Sequence, residues 1–205
     1  MRLADLPLPT TPAATLADEV LHRFSPPALV NHCHRAYRLA AVLALQDGLD
    51  VDWELLYVSS LLHDLALEPE FDNHALPFEQ AGGHLAWVFA AGAGWTVERR
   101  DHAAAVIVAH MVGTDPAVDA EGNLLDLATG LDISGRNLER WPEPLLVELL
   151  AQFPRLDLTE RFAACFRDQA ERKPDSSAGQ AVRSGLTDRL AANPLQALDG
   201  QGRYR

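Results

Sequence analysis

No stretch of this 205-residue chain alternates apolar and polar residues with the period of two that a half-buried strand requires. Apolar residues recur instead at helical spacing, in windows rich in Ala and Leu, two residues that favour helix. Pro, Gly and short polar residues separate the windows. Thr15 is read as the cap of a short helix to Phe24. Further helices are expected from Pro27 to Gln46, from Trp53 to Leu65 behind Asp52, and from Phe78 to Ala91. A helix capped by Thr96 runs to Met111, then follow Leu124 to Asp132, Pro142 to Gln152, Thr159 to Arg172 and Gln180 to Ala191. The fold class is therefore all-α, a helical bundle.

Composition narrows the function classes. With 48% hydrophobic residues the chain can build a core. Its net charge of −12 disfavours a basic nucleic-acid groove and an anionic membrane surface, so neither partner is expected. The most apolar run, Leu85 to Trp95, is about half the roughly twenty residues of a membrane span. The first residues lack the apolar region of a secretion signal, and Cys33 and Cys165 form no Cys-x-x-Cys pair. A reduced, cytoplasmic setting is expected. Residues 1–25, with Pro7, Pro9 and Pro12, read as an arm and a short helix, 26–172 as the bundle, and 173–205 as a linker, helix and tail.

Chemistry concentrates in a few positions. His63-Asp64 ends the apolar run Leu55 to Leu62 and offers a nitrogen and an oxygen ligand to a divalent ion. The competing reading is a helix end with Asp64 in solvent. At about 100° per residue, His32 shares a stripe with Ala36, Leu39, Ala40 and Leu43 and faces inward, whereas His34 is expected at the surface. His110 falls on the face of Ala103, Val106 and Ile107, either as a satisfied core histidine or as a functional one. Asp132 ends another apolar helix, where the helix dipole disfavours a carboxylate.

In order, these residues read His32, His63-Asp64 and Asp132, which resembles the HD-domain superfamily of metal-dependent hydrolases. The match is closer to its cyanamide hydratase-like branch. It rests on Asn31-His32-x-x-Arg35, Leu61-Leu62-His63-Asp64-Leu65, Phe78-Glu79-x-x-Gly82-Gly83, Val106 to His110 and Gly130-Leu131-Asp132-Ile133-Ser134-Gly135. The resemblance implies an HD-domain bundle over 26–172 and His32, His63, Asp64 and Asp132 as ligands of one divalent ion (Zn, Fe, Mn, Ni or Co). It also implies catalytic roles for Asp64 and His110. Dinuclear relatives carry a histidine where Phe78 stands, so a mononuclear site is expected. His84, on a stripe with Gln80, Ala81 and Val88, is read as a non-ligand.

Arg35 has two readings, clamping an anionic substrate group or pairing with a buried acid. Glu79 also has two, a structural residue on a stripe of small side chains or a contact to His63 or His110. Met111 stands where relatives in this branch often carry a small hydroxyl residue. The functional expectation is a metal-dependent hydrolase of a small molecule, phosphohydrolase-type. The alternatives are a cyanamide hydratase-like hydro-lyase on a small neutral nitrile or amide, and a non-catalytic binding protein.

Overall fold

The computed structural model describes residues 1–199, and the polar end of the expected tail, residues 200–205, lies outside the described residues. Every regular element among the described residues is helical, as expected. The α-helices are α1 (Pro12–Phe24), α2 (Pro27–Asp47), α3 (Trp53–Leu62), α4 (Phe78–Gly92), α5 (Val97–Val112) and α6 (Ala120–Ser134). They continue as α7 (Glu143–Gln152), α8 (Leu158–Arg172), α9 (Ser177–Arg183), α10 (Leu186–Ala191) and α11 (Leu195–Asp199).

The boundaries follow local chemistry. Asp52 and Thr96 cap α3 and α5 as expected, by accepting from Leu55 N and Arg99 N. The starts of α1 and α6, like that of α9 behind Ser176, come earlier than expected. Thr11 rather than Thr15 caps α1, with Pro12 in the first turn, and Asp119 caps α6 by accepting from Gly122 N at 2.8 Å. In both cases the nearest side-chain oxygen able to meet an orphan helix N–H sets the boundary. The single helix expected over 180–191 is divided at Gly185, whose φ of +83° belongs to the left-handed region.

The core is organised on α2 and α3. From Leu55 to Leu62 every residue of α3 is buried, and α2 is buried around most of its circumference. The other helices enclose this pair: α1 packs on α3, α6 on α2, and α5 on both α3 and α6. His34, expected at the surface, is buried here, because α1 and the segment after α7 cover that side of α2. Its Nε2 lies 3.1 Å from Asp18 Oδ1, and its ring stands 5.2 Å from that of Phe153.

The most extensive helix contact is between α4 and α5. A Cβ on Gly83 would stand 3.0 Å from the Ala104 carbonyl oxygen, and one on Gly82 would stand 3.1 Å from that of His63. These glycines let α4 lie directly against α5 and against the end of α3. Gly83→Leu is therefore expected to cost about 1–3 kcal/mol by overpacking, read from the urea midpoint. An unchanged midpoint would refute the close approach.

Burial next to the Arg38 charge lowers the His34 pKa from 6.5 to about 4, Asp18 notwithstanding. The folded value lies below the unfolded one, so the unfolded chain takes up the proton first. The contribution is full above about pH 6.5 and is lost as pH falls towards about 4. His34→Gln is expected to flatten the fall of the urea midpoint over that window, and a slope identical to wild type would contradict it.

Candidate metal centre

Helix α3 stops one residue before His63. His63 keeps helical dihedrals, while Asp64 leaves the helix at φ −104°, ψ 5° and a short turn over Leu65–Leu67 follows. Two consecutive side chains that a continuing helix would splay by about 100° thus meet at one point. His63 Nε2 lies 3.0 Å from Asp64 Oδ2. His32 reaches the same point from α2, with Nε2 3.2 Å from His63 Nε2 and 3.3 Å from Asp64 Oδ2. All three side chains are buried.

The other nitrogen of each ring is committed. His63 Nδ1 donates to the Ser60 carbonyl at 2.8 Å, one of the free carbonyls in the last turn of α3. His32 Nδ1 donates to Asp132 Oδ2 at 2.6 Å. In these tautomers both Nε2 lone pairs and a carboxylate oxygen face one another with no donor between them. Buried acceptors in that position require a cation. Two imidazole nitrogens and a carboxylate oxygen suit zinc and other first-row divalent ions, so the residues fit the expected metal.

The pKa shifts show the same demand for positive charge at this point, which a proton meets when no metal ion is bound. Burial works to raise the Asp64 carboxyl, but His63 and His32 overcome it and hold the group well below the usual carboxylate range. Desolvation opposes charge on His32, yet Asp132 and Asp64 on either side shift its pKa upwards.

Asp132 differs from the expected fourth ligand. It is buried at the end of α6, but its carboxylate lies behind His32, on the Nδ1 side, outside the triangle of acceptors. The reason is a pair of arginines. Arg35 Nε donates to Oδ1 at 2.9 Å and Nη2 to Oδ2 at 2.7 Å, while Arg155 Nη1 donates to Oδ1 at 3.0 Å. Desolvation is offset here too, and Arg35, Arg155 and His32 keep Asp132 ionised. This decides between the two readings of Arg35. Its Nη1 reaches the Phe153 and Pro154 carbonyls, and the side chain is fully buried and does not line the cavity, so it pairs with the buried acid. Arg155 was missed from the sequence, because it lies in an irregular segment between α7 and α8 with no periodicity to mark it.

The centre opens on a cavity of about 660 Å³. His110 lines it from the last turn of α5, its Nδ1 donating to the Ile107 carbonyl and its Nε2 3.6 Å from Asp64 Oδ1. Burial and the neighbouring His63 lower its pKa to about 4, so the ring is neutral at pH 7. Phe78 is fully buried, edge-on to His110 and Phe166. His84 is exposed on the outer face of α4. Glu79 and Met111 line the cavity, and α9 and α10 close it with Gln180, Ser184 and Arg189. Two other histidine–carboxylate clusters, Asp18–His22–His34 and His102–Asp119–Glu121, do not line it.

Asp132→Asn keeps a hydrogen-bond acceptor for His32 but removes the charge behind it. It is expected to weaken metal affinity about 10–100-fold, whereas His63→Ala abolishes stoichiometric binding. Elemental analysis after dialysis against graded chelator checks both. Abolition by Asp132→Asn would instead make Asp132 a direct ligand.

Comparison with known proteins adds a relationship. The chain is similar to two proteins of Saccharomyces cerevisiae, cyanamide hydratase DDI2 and cyanamide hydratase DDI3. It is 30% identical to each over 181 residues, which covers 83% of this chain and 78% of each relative. No protein-family model matches the sequence.

Proposed function

Since the chain belongs to the cyanamide hydratase family, we propose that it is a metal-dependent hydratase of a small neutral nitrile, cyanamide first. The observation that carries this reading is the buried triangle of His32 Nε2, His63 Nε2 and Asp64 Oδ2 at the floor of a cavity. The ordered His32, His63-Asp64 and Asp132 motif supports membership of the HD-domain superfamily as well.

A divalent ion held by His32, His63 and Asp64 would supply Lewis acidity, which makes a bound water acidic enough to react near neutral pH. His110 presents a neutral Nε2 towards Asp64 and the cavity, and this atom accepts the proton of the attacking water. The same atom then returns the proton to the nitrile nitrogen, so the sum is addition of water across C≡N. Its own Nδ1–H, fixed on the Ile107 carbonyl, keeps the ring in the tautomer that does this. Phe78, Phe162 and Phe166 form an apolar wall beside the centre and limit access of bulk water.

The phosphohydrolase expectation is less well supported. A phosphate needs fixed cations, and those near the centre are committed: Arg35 and Arg155 to Asp132, and Arg136 at the wall to Asp126 at 2.7 Å. Arg189 is exposed at the rim. A neutral substrate needs no such clamp. The cavity also falls within the roughly 300–1,000 Å³ range of pockets for drug-sized ligands, so it admits a nitrile or cyanamide carrying a side chain.

The metal-loaded protein is expected to form urea from cyanamide and to release no phosphate from a nucleoside monophosphate. His110→Gln is expected to lower kcat about 10²–10⁴-fold with metal content unchanged. Phosphate release without urea would restore the phosphohydrolase reading.

A further inference from the structure

The N-terminal arm crosses α2 and the end of α7 and leaves a second cavity of about 250 Å³ beneath it. No residue lines both this cavity and the one over the candidate metal centre. Leu3, Leu6 and Leu8 of the arm form an apolar wall, and Arg38 and Gln152 stand at the polar end. The wall is fixed in place. The Tyr37 hydroxyl donates to the Pro7 carbonyl at 2.5 Å, and Leu3 N donates to Glu148 Oε2 at 3.4 Å.

Arg38 is oriented but not neutralised. Its guanidinium carbon lies 4.2 Å from the centre of the Phe153 ring, and Nη1 donates to the His34 carbonyl at 3.0 Å. Nε and Nη2 have no hydrogen-bond partner among the described residues, and both keep accessible surface. The carboxylate that Arg38 senses, Asp18, is taken by His34 at 3.1 Å and His22 at 3.5 Å. Burial works against the Arg38 charge and lowers its pKa, with Tyr57, Tyr37 and Asp18 opposing. The free edge of the guanidinium is the one by which Arg35 holds Asp132, and its geometry matches a carboxylate bidentately.

We propose that this cavity binds a small organic monocarboxylate with an apolar tail, its carboxylate on Arg38 Nε and Nη2 and its tail against Leu3, Leu6 and Leu8. Gln152 adds an amide donor beside the carboxylate. A chain of net charge −12 repels anions on average, so recognition has to come from a local cation whose charge no side chain takes. The volume equals that of about eight water molecules in the liquid. It admits a short-chain carboxylate such as hexanoate and excludes nucleotides and long-chain lipids. The site does not depend on the hydratase reading, because it shares no residue with the catalytic cavity.

The test titrates the full chain, in the presence of zinc, with hexanoate and with its neutral counterpart hexanamide, followed by backbone amide NMR shifts. Hexanoate is expected to saturate in the millimolar range, with shifts centred on residues 3–8, 37–38 and 152. Hexanamide should bind at least about tenfold more weakly. Arg38→Gln should weaken hexanoate by about tenfold or more. Gln152→Glu offers Arg38 an internal carboxylate and should weaken hexanoate by a similar factor. Gln152 is exposed, so this second variant keeps the fold, and its thermal midpoint checks that. No saturation by hexanoate up to about 10 mM would overturn the proposal. Equal affinity for hexanamide, or unchanged hexanoate affinity in either variant, would also overturn it. Shifts confined to His32, His63 and His110 would overturn it too, by placing the carboxylate at the candidate metal centre instead.

Discussion

A single buried carboxylate, Asp132, connects the candidate metal centre to the rest of the fold. It receives His32 and Arg35 from α2 and Arg155 from the segment after α7, while Asn193 from beyond α10 donates to its backbone carbonyl at 2.9 Å. Buried ionised groups such as Asp132, Arg35 and Arg155 persist only when each is paired. Asp132 therefore requires both arginines, and they require Asp132. One consequence is geometric: the carboxylate fixes the His32 ring so that Nε2, and not Nδ1, faces His63 and Asp64. A network built to hold one charge in the core thus also sets the tautomer of a candidate metal ligand.

The two other imidazoles follow the same logic with a different acceptor. His63 and His110 each give Nδ1–H to the carbonyl three residues earlier in the chain. The Ser60 carbonyl is one that the end of α3 leaves unpaired, whereas Ile107 lies further inside α5 and its carbonyl takes the imidazole as a second partner, and in both cases Nε2 is presented in a defined direction. All three rings are thereby oriented by the backbone or by Asp132 before any ligand arrives, which is what preorganised chemistry requires.

Much of this was legible in the sequence, and what was not has physical causes. His32 could be placed inward because Ala36, Leu39, Ala40 and Leu43 mark its stripe, and His63-Asp64 because an apolar helix leads to it. The small-residue stripe of α4 announced a close helix contact, and Gly82 and Gly83 make it. The position of Asp132 relative to His32 was not legible, because it depends on Arg155, 23 residues away in an irregular segment. Burial of His34 depends likewise on cover from α1 and Phe153. The chain after residue 173 reads as a linker, one helix and a tail, with nothing to place that helix over the site, yet α9 and α10 close the cavity. Helices of seven and six residues are too short to display an amphipathic period.

Under the proposed function, three acceptors from α2 and the end of α3 hold one divalent ion. An anomalous-scattering map of crystals loaded with zinc tests that most directly. One peak is predicted, about 2.0–2.2 Å from His32 Nε2, His63 Nε2 and Asp64 Oδ2, with none beside Phe78. A peak only at Asp18–His22–His34 or His102–Asp119–Glu121, or two peaks in the central cavity, would contradict it.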